Sequence, residues 1–519
     1  MSDAMQSVNK DEPKAKENIF KRIFTAIGHF FVMFGKGFVN FFVNLFHRVV
    51  DFFVEFFRRF VDGSIGTKLS HFIFGAGSFY HKQYIKGALF LLLQVAIILF
   101  MVLCPEVNST PYGYKALANL VLHGNPTMVF DPATLKTIPA DDSKLFLLFG
   151  LVTIIVIILY ILIWLLNIKS SYKADQDLKA GRKPTTFKQD WNTLLDSKFH
   201  IMMLTPTCIA ALVFTVIPTI FMICIAFTTY NTVDMNAAST AYEKNLFHWN
   251  GFNNFVDIFQ GNTSLGKEIG ARFLPVLGWT AIWAVFATFT CYFGGILLAI
   301  LINKKGIKFK KVFRVIFILT IAIPQFISLL AMRNILNGEG PINQILKNLG
   351  WITNSIGFLG NNAVGDDPTL AKVMVIVINM WLGVPYTMLM TSGILMNIPS
   401  DLYEAARVDG ASKTKMLFKI TFPYIIFVTT PYLISSFVGN INSFNTIFLL
   451  TGGGPAVTGG TYVAGETDLL VTWLYKLTIN NGEFNTGAII GILTFAITAT
   501  ITLISYRRSK AYKEEDTFQ

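Results

Sequence analysis

Eight long apolar runs, separated by polar connections, divide this chain of 519 residues. At a rise of 1.5 Å per residue, each run is long enough to cross most or all of the ~30 Å hydrocarbon core of a bilayer as a helix. The clearest run extends from Leu145 to Ile168 without a charge. The pattern predicts an all-α polytopic membrane protein with transmembrane helices near 84–104, 145–168, 201–228, 273–303, 315–332, 370–396, 424–450 and 485–505.

Composition and charge agree with a membrane protein. Hydrophobic residues make up 53% of the chain and charged residues 14%, whereas a soluble domain carries about a quarter charged residues. If Lys86 and Lys372 are counted with the connections they adjoin, 33 of the 43 Lys and Arg residues lie on one side. The positive-inside rule then places both termini and the connection at 397–423 in the cytoplasm. The net charge of +12 is thus topological, and no nucleic-acid partner is expected.

The polar stretch 169–198 marks the main boundary between two accessory spans and a six-span core. We therefore expect five regions. A cytoplasmic tail with the Phe-rich segment occupies 1–83, the two accessory transmembrane helices 84–168 and a cytoplasmic linker 169–198. The core follows at 199–506 and a second cytoplasmic tail at 507–519.

An amphipathic segment is predicted from Ile19 to Phe60. It contains 14 of the 49 phenylalanines of the chain, at three- and four-residue steps that place them on one helical face. Lys and Arg interrupt the run too often for a span. The pattern fits a helix in the inner membrane interface and fits equally a helix packed against the bundle.

Polar side chains recur on one face of two predicted core spans. Unpaired amides and hydroxyls are costly in lipid, so such faces usually line a bundle or a wet cavity. Amides offer donors and acceptors, and aromatic rings stack on sugar C–H surfaces, which suits a neutral, hydroxyl-rich ligand. Interhelical hydrogen bonds alone are the alternative. Spacings of three and four residues place Asn379, Leu382, Gly383 and Tyr386 on one face of the first span. The same spacings place Ser436, Gly439, Asn440 and Ser443 on one face of the next span.

The connection at 397–423 contains Glu404-Ala-Ala-Arg-Val-Asp-Gly410, followed by Ile420-Thr-Phe-Pro423. We expect Glu404 in the first turn of a short helix, where the macrodipole favours a carboxylate. Ala405 and Ala406 allow a partner helix to approach closely, and Gly410 ends the segment without a Cβ penalty.

Catalytic chemistry is not expected in this chain. Gly261-Asn-Thr-Ser-Leu-Gly-Lys-Glu268 nearly matches a phosphate-binding loop, but Glu268 replaces the required Ser or Thr. The motif also falls in a predicted outer loop. No histidine or cysteine spacing indicates a metal site, and no cofactor is expected.

These motifs make the chain from about Pro206 to Phe518 resemble the larger membrane subunit of maltose/maltodextrin-type ABC importers. The order E-A-A-x-x-x-G with I-x-x-P resembles the cytoplasmic loop of that family, which docks in a cleft of a separate ATPase. The other supporting stretches are Phe227-Thr-Thr-Tyr-Asn231, Asn379 to Tyr386, Leu449-Leu-Thr-Gly-Gly-Gly-Pro455 and Thr467-Asp-Leu-Leu470.

The resemblance implies an ATP-driven oligosaccharide importer in a bacterial cell membrane. It implies a second homologous permease subunit, two copies of a cytoplasmic ATPase and an extracellular sugar-binding protein as partners. It also implies sugar contacts at the eight polar-face residues above and a coupling loop at 398–423, with the ATPase contacted by Glu404, Ala405, Ala406, Asp409 and Gly410.

Two departures from the family pattern bear on the substrate. Gly439 and Ser443 stand where a bulky aromatic and an amide are typical, and the loop 229–272 is too short for a large outer domain. A permease for another neutral oligosaccharide, such as a galacto-oligosaccharide, is therefore an alternative. An ion-coupled secondary sugar transporter is another, and it requires an ionisable residue in the pathway.

Overall fold

The computed structural model describes residues 43–44, 46–48, 50–103, 113–122, 128–131, 136–139, 143–231, 247–304, 306–360, 367–457 and 460–508. The part of the predicted Ile19–Phe60 segment before residue 43 lies outside these ranges, as do residues 232–246 and the tail from 509.

Helices form almost all of the described regular structure, which confirms the predicted helical membrane fold. Among the described residues, the only strands form a hairpin between α4 and α5, in which β1 (Met128–Asp131) pairs antiparallel with β2 (Lys136–Pro139). Residues 50–62 are helical. The other helices are α1 Ile65–Leu69, α2 Ala76–Tyr80, α3 Tyr84–Val102, α4 Gly113–Leu122, α5 Ser143–Lys179, α6 Phe187–Leu195, α7 Phe199–Ala226, α8 Asn253–Gln260, α9 Ser264–Asn303, α10 Lys310–Ala322, α11 Gln325–Ile335, α12 Pro341–Asn348, α13 Pro368–Asn397, α14 Ser400–Val408, α15 Lys413–Ile441, α16 Phe444–Leu450, α17 Leu470–Tyr475 and α18 Phe484–Arg508.

Seven of the described helices are long and apolar enough to cross a membrane, and a bent pair of helices gives an eighth candidate if it is one broken span and not a re-entrant loop. The predicted span near 315–332 is broken into α10 and α11, which meet at 95°. Ile323 and Pro324 between them are extended. Proline has no backbone N–H and disfavours helical geometry in the residue before it, which favours the break at this point, whereas Pro385 and Pro431 lie inside continuous helices.

The described residues form two compact units. The first comprises those among 1–105, 112–114 and 152–209. Within it, a buried carboxylate on α5 holds the start of α1: Asp175 accepts hydrogen bonds from the Ser64 backbone N–H at 2.9 Å and the Thr67 hydroxyl at 2.5 Å. The His81 Nε2 atom lies 2.8 Å from the same carboxylate. The predicted linker 169–198 is thus largely helical, in the end of α5 and in α6, and the domain boundaries stay a prediction.

The second unit comprises the described residues among 106–111, 115–151 and 210–519. Its central element is α9, which packs along both α13 and α15. Gly295 allows α13 to approach closely, because a Cβ built there would lie only 2.4 Å from the Thr387 Cβ atom. Trp283 and Tyr292 on α9 are fully buried. The two helices that carry the predicted polar faces therefore share one neighbour.

Candidate functional site

Two side-chain amides from different helices bond to adjacent turns of α9. Asn440 donates a hydrogen bond from Nδ2 to the Thr288 hydroxyl at 2.9 Å. Asn379 donates from Nδ2 to the Cys291 sulfur at 3.4 Å. Thr288 and Cys291 are three residues apart and hence on one face of α9. In both amides one of the two side-chain N–H donors is used within the fold, which leaves the second N–H and the side-chain oxygen as the candidate groups for a ligand.

Gly383 and Leu382 contribute packing at this level of α13. A Cβ added to Gly383 would lie 2.6 Å from the Cys291 sulfur, so this glycine permits close contact between α13 and α9. Leu382 packs against the apolar cluster that includes Trp283. For these two residues, a structural role is visible whether or not they also contact a ligand.

Tyr386 presents an aromatic ring on the open side of α13. It is 51% exposed, and its ring centroid lies 5.7 Å from that of Tyr432 on α15. The Tyr432 hydroxyl lies 3.3 Å from the Thr387 hydroxyl. Sequence reasoning missed Tyr432, although it lies four residues before Ser436 and therefore on the same helical face.

The end of α15 supplies the remaining candidates. Gly439 is exposed, and a Cβ built on it meets no atom within 4 Å. Ser436 is half-buried. Ser443 lies beyond the end of α15, directly before α16. Its hydroxyl donates a hydrogen bond to the Thr446 hydroxyl at 3.0 Å. The predicted single face 436–443 is therefore interrupted, because the helix ends at Ile441.

The predicted short helix after the Asn379 span is α14. Glu404 falls in its second turn, and the acidic residue of the first turn is Asp401, so the first-turn placement was wrong. Gly410 has a φ of +73°, which glycine adopts without strain. The Ala411 N–H returns to the Ala406 carbonyl at 2.9 Å. The predicted glycine-terminated turn is confirmed.

The outward surface of α14 is open. Glu404, Ala405, Asp409 and Gly410 are exposed, and Ala406 is half-buried. Val408 is 87% exposed, an unusual position for a branched apolar side chain. A half-buried tyrosine holds the other side, since the Tyr403 hydroxyl lies 2.8 Å from the Thr421 hydroxyl near the start of α15. The helix is thus fixed to the core while its apolar and acidic residues face outward.

At the opposite end of α9 and α13, a carboxylate joins two cations that sequence reasoning missed. Lys372 and Arg272 approach Glu466 to 2.7 Å and 3.4 Å. Lys372 also lies 5.4 Å from the centroid of the Trp279 ring. Burial opposes the charge of Glu466, but the hydrogen bonds and charges of Lys372 and Arg272 outweigh it and lower the pKa of this carboxyl. Lys372 and Arg272 are 94 and 194 positions away from Glu466 in the chain, so no local motif signals the contact.

Among the described residues, no group of three or more His, Cys, Asp or Glu side chains is arranged to hold a metal ion.

Comparison with known proteins decides the family. Residues 292–511 match the family model described as binding-protein-dependent transport system inner membrane component. The chain is 31% identical over 448 residues to the galactooligosaccharides transport system permease protein GanP of Bacillus subtilis (strain 168), covering 85% of this chain and 96% of the relative. The chain belongs to this family.

Other relatives carry related names. The chain is 33% identical over 449 residues to the maltodextrin transport system permease protein MalC of Streptococcus pneumoniae, covering 85% of this chain and 95% of MalC. It is 36% identical over 264 residues to the maltose/maltodextrin transport system permease protein MalF of Escherichia coli (strain K12), with half of this chain and 49% of MalF covered. The resemblance predicted from the sequence is confirmed, and the family places this multi-pass chain in a cell membrane.

Proposed function

We propose that this chain is the permease subunit of an ATP-driven importer for a neutral oligosaccharide, a maltodextrin or a galacto-oligosaccharide. The observation that carries this proposal is α14, a short helix fixed to the core with Val408 and Glu404 exposed between two spanning helices. The names of the relatives, for galactooligosaccharides and maltodextrin transport, supply the substrate class.

The coupling surface consists of Glu404, Ala405, Ala406, Asp409 and Gly410, together with Val408. Small residues let a cleft of a separate ATPase close around the helix. Val408 enters an apolar part of that cleft, and burying such a side chain contributes about 2 kcal/mol. Because Tyr403 ties α14 to the start of α15, movement of the ATPase is passed to the helix that carries Asn440. ATP hydrolysis itself occurs in the partner.

The sugar pathway runs along the open side of α13 and α15. Asn379, Tyr386, Ser436 and Asn440 offer the polar and aromatic groups, while Gly439 leaves space beside them. A second homologous permease subunit completes the pathway, and an extracellular binding protein delivers the sugar. Leu382, Gly383 and Ser443 shape the wall in this proposal.

An ion-coupled transporter is the competing function. In this chain, residues 373–397 of α13 and 420–441 of α15 contain no Asp, Glu, Lys or Arg. The Glu466 carboxylate is already held by two cations. The ATP-driven function therefore fits the described pathway better.

Orientation tests the proposal, because α14 must face the cytoplasm with both termini. Single cysteines are placed at Asn250, Trp351, Arg182, Lys308 and Asp409 after the native cysteines are replaced by serine. An impermeant maleimide added outside intact cells is expected to label the first two positions and to spare the other three. Lysis provides the control, since it should expose all five. Labelling of position 409 from outside would contradict the proposal, because a cytoplasmic ATPase could not then bind α14.

A further inference from the structure

The Phe-rich helix over residues 50–62 has three distinct faces. Steps of 100° per residue place Phe52, Phe56 and Phe60 on one face. Phe53, Phe57 and Val61 follow on the adjacent face. The remaining arc carries Asp51, Glu55, Arg58, Arg59 and Asp62. A helix that packs on a protein surface needs only one apolar face, with its other side polar. The presence of a second apolar face therefore raises the question of what covers each of the two.

The first face contacts the protein through Phe56 and Phe60. The Phe56 ring centroid lies 5.3 Å from that of Trp164 on α5 and 5.1 Å from that of His71. Phe60 also contacts His71, at 5.1 Å. Lys179 on α5 donates a hydrogen bond to the Asp62 backbone carbonyl at 3.0 Å, and Arg59 pairs with Glu55 within the helix at 2.6 Å. The contacts with Trp164 and Lys179 fix how the helix is rotated on α5.

The second apolar face is open. Phe53, Phe57 and Val61 are 53%, 61% and 67% exposed. The height of this face in the membrane follows from Trp164, which lies four residues before the end of the uncharged run 145–168. Leu162 and Leu166, within two residues of Trp164 on the same spanning helix, are also exposed. Lipid therefore reaches the level at which the Phe-rich helix sits.

We propose that residues 50–62 form an in-plane anchor whose Phe53, Phe57 and Val61 face is embedded in the acyl chains of the adjacent leaflet. The first face clamps the helix to α5, the second contacts phospholipid acyl chains, and the charged arc faces the headgroups and water. Tryptophan is typical of this depth, and a helix with one apolar and one charged side lies along the interface rather than across it. The inference requires membrane embedding but not sugar transport.

Nitroxide labels measure this depth directly in the intact chain, reconstituted in vesicles of phosphatidylethanolamine and phosphatidylglycerol. Cysteines at 53 and 57 remove only ring contacts with Phe52 and Phe56 of the same helix, so the variants are expected to fold. Collision with oxygen, which concentrates in acyl chains, is compared with collision with a water-soluble nickel chelate, for labels at 53, 57 and 61 and, as matched controls one face away, at 51, 58 and 62.

Labels at 53, 57 and 61 are expected to collide several-fold more with oxygen than the controls, and the controls more with nickel. A label at 56 should be immobile and protected from both. Preferential nickel collision at 53, 57 and 61 would overturn the proposal, since the face would then lie in water. Immobile labels at these positions, protected from both reagents, would also overturn it, because a protein would then cover the face instead of lipid.

Discussion

Asn440 on α15 is tied to Thr288 on α9 by a hydrogen bond of 2.9 Å from its side-chain Nδ2. The backbone carbonyl of the same residue accepts from the Trp283 indole N–H at 3.0 Å. A residue proposed to contact sugar is therefore also part of the helix packing. Any test of its transport role has to separate these two contributions.

Asn440→Ala removes both the bond to Thr288 and the proposed sugar contact, whereas Thr288→Val removes only the first. A hydrogen bond to a neutral ligand contributes about 0.5–1.5 kcal/mol. We therefore expect Asn440→Ala to raise the sugar concentration for half-maximal uptake about two- to twelvefold beyond Thr288→Val, at equal protein level. Equal effects of the two variants would assign Asn440 to packing alone.

Gly439→Phe tests whether the open space on α15 accommodates longer sugars. The added side chain meets no described atom at its Cβ, so the helix should tolerate it. We expect uptake of long oligosaccharides to fall severalfold more than uptake of the disaccharide, as measured by competition between chain lengths. Gly383→Ala is the contrasting variant, because its Cβ would lie 2.6 Å from the Cys291 sulfur. A uniform loss with Gly439→Phe would indicate a packing defect.

Val408→Asp is expected to weaken binding of the ATPase to the coupling surface. Loss of about 2 kcal/mol of apolar burial corresponds to roughly 30-fold in affinity. Val408→Leu keeps the apolar character and should bind within a fewfold of the wild type. Titration of the purified permease with ATPase in detergent measures both. Unchanged affinity with Val408→Asp would show that this side chain does not enter the partner.

The Glu466 cluster should make stability depend on pH. A lowered carboxyl pKa contributes stability above the usual value of 4.5, and this contribution is lost as pH falls through the lower, folded-state pKa. We expect Glu466→Gln to lower the melting temperature at pH 7, with a free-energy cost of about 1 kcal/mol. The difference from wild type should shrink below about pH 4.5.

Glu339→Gln is the control for this measurement, since Glu339 is exposed and belongs to no described ion pair. It should leave the melting temperature unchanged at either pH. A difference between wild type and Glu466→Gln that stays constant from pH 7 to pH 4 would contradict the role assigned to the carboxylate charge.

Features that depend on local sequence were predicted well. The apolar runs predicted the spans, because each span is one contiguous stretch of sequence. Gly410 predicted the end of α14, because a positive φ depends on a single residue. The break at Pro324 was missed, and a proline within an apolar run does not indicate a break by itself, because Pro275, Pro385 and Pro431 lie inside continuous helices of the same chain. The contacts of Glu466 with Arg272 and Lys372, and of Asn379 with Cys291, depend on which helices meet. No periodicity in a single chain encodes that pairing.

The most direct test of the account is sugar uptake by proteoliposomes that contain this chain, the homologous permease, the ATPase and the binding protein. We predict uptake of a neutral oligosaccharide that requires ATP on the side of α14 and persists when ionophores collapse ion gradients. Glu404→Lys should abolish that uptake, because it reverses the charge of the coupling surface, while the protein stays in the membrane. Uptake that proceeds without the ATPase and stops with ionophores, or wild-type uptake by Glu404→Lys, would contradict the account.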